Sequence, residues 1–128
     1  MNVNCLSLFK RIIDNKIGDD SVLDCPIRRN NWSHPLIFQW HRSINNYTIP
    51  IASQFDRYPI HIHDVYRNRY SLLSNGSLKI MNIQINDNDT FECRLILIDR
   101  GFLDIKDKYS VTLRVNGKTL LVCFSEKT

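Results

Sequence analysis

Three residues constrain this chain more than any others: Cys25, Trp40 fifteen positions later, and Cys93. Each lies on the apolar side of a short alternating run, since residues two apart on a strand share a face. Leu23 and Cys25 share a side before Pro26 ends their run; Leu36, Phe38 and Trp40 share one, as do Phe91, Cys93, Leu95 and Leu97. A bridge between Cys25 and Cys93 would close a loop of roughly 70 residues, worth about 4 kcal/mol in the chain-entropy model. No two of the four cysteines lie two to four residues apart, so their spacing does not fit zinc. Cys5 and Cys123 are left with three options: pairing with each other, pairing between molecules, or staying reduced.

The rest of the chain repeats the theme. Short β-prone runs alternate with turn signals, and no stretch sustains an apolar period of 3.6 residues. Residues 49–55 read as a strand whose Pro50 suits an edge. Residues 69–73 read as another, and Asn75-Gly76 as a two-residue hairpin turn into 77–81. The run 108–115 puts Tyr109, Val111, Leu113 and Val115 inward. On the longest run, 90–98, the second face is apolar too, at Ile96 and Ile98. That face is therefore either covered or a contact surface. The 128 residues, 43% of them apolar, suffice for one domain with one core. Seven or eight short strands make a sandwich or barrel the default.

The approach to Cys93 narrows the choice. Asp87-Asn88-Asp89-Thr90-Phe91-Glu92-Cys93 resembles the immunoglobulin pattern, with Asp six positions and Tyr two positions before Cys. Together with Cys25 and Trp40 it indicates an all-β, immunoglobulin-like V-type β-sandwich with Greek-key topology. The resemblance implies that Cys25 and Cys93 tie the two sheets, that Trp40 packs on the tie, and that Arg69 pairs with Asp87. Two positions depart from the pattern. Phe91 stands where Tyr is usual, so the hydroxyl bond of the tyrosine corner, about 1 kcal/mol, is expected to be missing. Asp89 stands where a small residue is usual.

No Phe-Gly-x-Gly bulge occurs in 108–116, unlike antigen receptors. Residues 36–116 are instead similar to the first immunoglobulin domain of the Turtle/Borderless family of neuronal adhesion proteins. The resemblance rests on Phe38-Gln39-Trp40, Ile49-Pro50-Ile51, Tyr58-Pro59, Ser77-Leu78-Lys79-Ile80, Phe91-Glu92-Cys93-Arg94-Leu95 and Val111-Thr112-Leu113-Arg114-Val115-Asn116. It implies an extracellular, cell-surface adhesion module with a protein partner, homophilic contact included. A soluble or immune-type ligand-binding module is the alternative.

The expected organisation is a domain over 11–116 between tails at 1–10 and 117–128. Gly117-Lys118 opens the second tail and matches what a splice donor encodes, as translated intron would. No run of 18 apolar residues exists, and Lys10-Arg11 interrupts the apolar stretch from Leu6 to Phe9. The chain therefore reads as a fragment of a longer secreted or membrane-anchored protein, without membrane contact of its own.

The charge of +4 is spread out, which argues against nucleic acid. No catalytic constellation or cofactor motif occurs, and His61-Ile62-His63-Asp64 lacks a third metal ligand from elsewhere. Sequons stand at Asn31, Asn46, Asn75 and Asn88, the first two better placed in loops and the last blocked. By alternation the expected binding face comprises Gln39, His41, Arg94, Ile96 and Ile98, with Phe102 and Leu103 in the following loop.

Overall fold

A computed structural model describes residues 2–7, 11–27, 36–44, 46–116 and 121–126, the first and last segments as backbone only. Its strands are β1 (Asn2–Ser7), β2 (Ile12–Asn15), β3 (Ser21–Leu23), β4 (Leu36–Ile44), β5 (Tyr47–Phe55), β6 (His61–Ile62), β7 (Tyr70–Leu72), β8 (Leu78–Ile80), β9 (Asp89–Asp99), β10 (Phe102–Val115) and β11 (Leu121–Glu126). One sheet runs β2-β10-β9-β4-β5-β6, with β2 parallel to β10 and the other pairs antiparallel. The opposing sheet runs β3-β8-β7. The segments read as tails each carry a strand: β1 pairs antiparallel with β11, and the register sets Cys5 opposite Cys123.

The two main sheets close on one apolar core. Phe38, Trp40, Phe91, Cys93, Leu95, Val111, Leu113 and Val115 enter it from the six-stranded sheet; Leu23, Leu78, Ile80 and Tyr70 enter from the other. Period-two alternation on the strands that carry these residues produces this division. Cys25 and Cys93 are bonded across the core with Cα atoms 6.3 Å apart, inside the range a disulfide spans. Trp40 is fully buried, and its indole N–H donates to the Gly76 carbonyl at 2.8 Å, so the large apolar ring leaves no orphaned donor.

Two local expectations change. The Asn75-Gly76 turn is not a two-residue hairpin: Leu73 N–H donates to the Ser77 carbonyl, leaving three residues between them. Gly76 takes the left-handed position (φ 90°) that closes such a loop, and a Cβ there would lie 3.3 Å from the Phe38 ring. Nor is β5 an edge strand, because β6 covers it. Its pairing with β6 is confined to Ala52 and Ser53, so Pro50 lies outside that ladder and withholds no bond from it.

The corner before β9 is organised by Asp87, which is buried. Arg69 grips its carboxylate with two nitrogens, Nη1 to Oδ2 at 2.7 Å and Nη2 to Oδ1 at 3.1 Å. The Gln84 N–H adds a bond at 2.8 Å, and the Tyr70 hydroxyl donates to Oδ1. Burial alone would push the Asp87 carboxyl up. The bonds from Arg69, Tyr70 and Gln84 prevail and hold it below the usual carboxylate value. Beside it, Arg42 lies 8% exposed over the Phe91 ring and is satisfied by Asp89 Oδ2 and the Asn86 carbonyl.

Candidate interaction surface

The outer face of the six-stranded sheet carries the side chains that alternate with the core set. Cross-strand register gives its rows: Phe55, Ile37, Ile96 and Ile105 in one, Ile98 and Leu103 in the next, and Ser53, Gln39 and Arg94 behind them. Residues opposite each other on neighbouring strands share a face. The polar contacts agree with that phase, as Arg94 Nε donates to Gln39 Oε1 at 2.9 Å and Gln39 Nε2 donates to Ser53 Oγ at 3.4 Å.

The face thus has two zones. Toward the start of β9 it is polar: His41 Nε2 meets Glu92 Oε1 at 2.9 Å, and Ser110 Oγ donates to Glu92 Oε2. His41 is 4% exposed, and its Nδ1 has no hydrogen-bond partner among the described residues. Burial lowers its pKa, and this outweighs the opposing pull of Glu92. Toward the β9–β10 turn the face is apolar. Leu103 is 66% exposed, Ile105 49% and Phe55 42%, while Tyr58 stacks on Phe55 with ring centroids 5.6 Å apart. Asp99 at the end of β9 and Arg100 in the turn place charge there, and an ion pair between Lys106 and Asp104 lies beside it.

Phe102 and Leu103 are strand residues of β10, not loop residues. The turn is only Arg100-Gly101, both with positive φ (51° and 82°), a pairing that matches the twist of a two-residue hairpin. Phe102 and Leu103 consequently point to opposite sides of the hairpin. Ile96 and His41 do belong to the outer row, but neighbouring side chains bury both, Ile96 to 7% exposure. They underlie the surface and do not offer contact area, which corrects the expectation of an exposed Ile96. Gln39, Arg94 and Ile98 are half-buried.

Ile37, Phe55, Tyr58 and Ile105 complete the apolar zone and escaped the sequence reading. Alternation on the Gln39 face signals Ile37; the other three depend on register and on the path of the 56–58 turn.

The remaining candidates lie elsewhere. His61 and His63 rest edge to face, centroids 5.0 Å apart, and no metal-holding cluster of three or more His, Cys, Asp or Glu occurs among the described residues. Asn31 lies outside the described residues. Asn46 and Asn75 are exposed, whereas Asn88 is half-buried with Oδ1 accepting from Val115 N–H at 2.9 Å.

No protein-family model matches the chain. It is 26% identical over 93 residues to Protein turtle of Drosophila melanogaster, covering 66% of this chain and 6% of that protein. It is 25% identical over 104 residues to human Protein turtle homolog B, covering 80% of this chain and 8% of that protein. Among solved structures, domain 1 of VCBP3 from Branchiostoma floridae superposes with a TM-score of 0.70 at 14% identity, covering 91% of this chain and 97% of that one. The chain is an immunoglobulin V-like domain related to the Turtle proteins.

The extracellular domain of the voltage-gated sodium channel beta4 subunit is similar as well (TM-score 0.61, 16% identity, 86% of this chain and 94% of that one). At such identities the structural likeness speaks for the fold alone. The chain spans 6% to 8% of the length of these two Turtle relatives. The V-like assignment accounts for the extra strands β5 and β6 beside β4, which broaden the sheet that carries the apolar zone.

Proposed function

We propose that this chain is a cell-surface recognition module that binds a protein through the apolar end of its six-stranded sheet, a second copy of the chain being the favoured partner. One observation carries the reading: Leu103, Ile105 and Phe55, with Tyr58, form a largely exposed apolar zone over the buried Ile96. An apolar centre with a charged rim is the anatomy of a protein interface, and isolated apolar residues would not group this way. Support comes from the relationship to Turtle proteins and from the beta4 subunit, whose extracellular domains form parallel homodimers with a role in cell–cell adhesion.

The test is sedimentation of the secreted, oxidised chain beside its Leu103→Asp and Ile105→Asp variants. Concentration-dependent dimers that both substitutions abolish, at unchanged melting temperature, support the reading. Dimers indifferent to both substitutions overturn the assignment of this face. A strict monomer at all concentrations overturns the second-copy partner and favours a soluble ligand-binding module.

A further inference from the structure

We infer that Asn46 is an N-glycan acceptor whose sugar covers the far end of the binding sheet and confines a partner to the apolar end. The inference rests on the extracellular reading above. Of the sequons among the described residues, Asn46-Tyr47-Thr48 is the only one whose three residues are all exposed, with Tyr47 at 74%. Asn46 lies between Ile44 of β4 and its pairing partner Tyr47 of β5, with a φ of 67°. Among the described residues nothing hydrogen-bonds its carboxamide.

The other two sequons among the described residues are built into the fold. In Asn75-Gly76-Ser77, Ser77 is 2% exposed and its hydroxyl donates to Asp24, while Asn75 Oδ1 accepts from the Ser77 N–H. In Asn88-Asp89-Thr90, Asn88 holds the Val115 N–H and Thr90 is bonded to Thr112. A sugar joined before folding is carried at no cost to the fold only where the folded chain leaves the Asn open to solvent. Attachment joins Asn46 Nδ2 to the anomeric carbon of a lipid-pyrophosphate-linked oligosaccharide. The bond from that carbon to the pyrophosphate breaks, the lipid pyrophosphate leaves, and the Nδ2 proton passes to the transferring enzyme.

Position gives the sugar its consequence. The β4–β5 turn lies at the end of the sheet where β9 begins, and the apolar zone at the end where β9 finishes. From Ile44 back to Ile37 is roughly 23 Å at strand rise. A glycan on Asn46 hydrates the polar end and leaves Leu103 and Ile105 open.

The experiment is secretion of the chain from eukaryotic cells behind a supplied signal peptide, followed by enzymatic glycan release in heavy-oxygen water and peptide mass spectrometry. Most molecules are expected to carry the label at position 46 and few at position 88. Thr48→Ala should lose one glycan mass with Asn46 still present and keep Leu103-dependent association. Secreted, Cys25–Cys93-bonded protein with Asn46 unmodified overturns the inference, even if that association is intact. Association lost in Thr48→Ala overturns the spatial claim. Full modification at Asn46 with no association sinks the binding-face reading and leaves the glycan site standing.

Discussion

The Tyr70 hydroxyl donates a hydrogen bond to Oδ1 of the buried Asp87. This domain lacks the usual Tyr two positions before its second core cysteine, and Phe91 fills that place with an apolar ring. Tyr70, on β7 of the opposing sheet, tilts against Phe91 with centroids 6.5 Å apart and delivers its hydroxyl to the corner just ahead of β9. A hydroxyl therefore still serves this corner, supplied across the sandwich. Burial first, and the bond to Asp87 second, raise the Tyr70 pKa, so it stays a neutral donor.

Tyr70→Phe should destabilise the domain by about 1–3 kcal/mol, because a buried carboxylate loses one of its donors while the ring packing survives. Urea unfolding with an unchanged m-value checks this. A loss below about 0.5 kcal/mol would show that Arg69 and the Gln84 N–H suffice for Asp87.

Ile96 and Leu103 occupy one outer face yet should respond oppositely to the same substitution. Ile96→Asp places a charge where only 7% of the residue is exposed and should cost about 3 kcal/mol or more. Leu103→Asp, at a site 66% exposed, should stay within about 0.5 kcal/mol. Thermal melts of both variants at neutral pH decide it.

Much of this architecture is legible in the chain. Alternation alone puts Phe38, Trp40, Cys93 and Leu95 inside, because a period of two allows no other sharing of faces. The buried state of Ile96 is not legible, since it depends on which residues of β4 and β10 flank it. Ile105 falls between the alternating runs 90–98 and 108–115, and its neighbours follow only from the β9–β10 register. The Tyr70–Asp87 bond joins residues seventeen apart whose meeting depends on how two sheets stack, and no local pattern encodes it.

Acid should weaken the fold in two stages. His41 is buried with a lowered pKa, so the unfolded chain takes up its proton first. The stability this contributes is complete above the ordinary value of 6.5 and falls as pH drops through the lower folded value. The slope is at most about 1.4 kcal/mol per pH unit for one proton. Asp87 acts the same way below its ordinary value of 3.8. His41→Gln should flatten the stability profile on the acid side of pH 6.5 and leave the lower limb. Denaturant melts from neutral pH down to well below pH 3.8 measure both limbs, and an unchanged upper limb in the variant would assign it to another group.

Removing the core bridge with Cys25→Ala and Cys93→Ala together should cost about 4 kcal/mol, as expected for a loop of this length. Calorimetry under oxidising conditions tests it. A drop under about 1 kcal/mol would mean that the unbridged unfolded chain is already compact.

The same bridge has a mechanical meaning. The proposed contact end of the sheet is the tip of the β9–β10 hairpin, and Cys93 lies on β9, six residues before Asp99. Tension entering at the tip reaches the second sheet along β9 and through a covalent bond, bypassing the hydrogen-bond ladders. The bridged residues are 68 apart in sequence, so a pulled domain keeps that segment as a closed loop. Roughly 230 Å of chain that would otherwise pay out stays locked, and under load the module behaves as a short, stiff link.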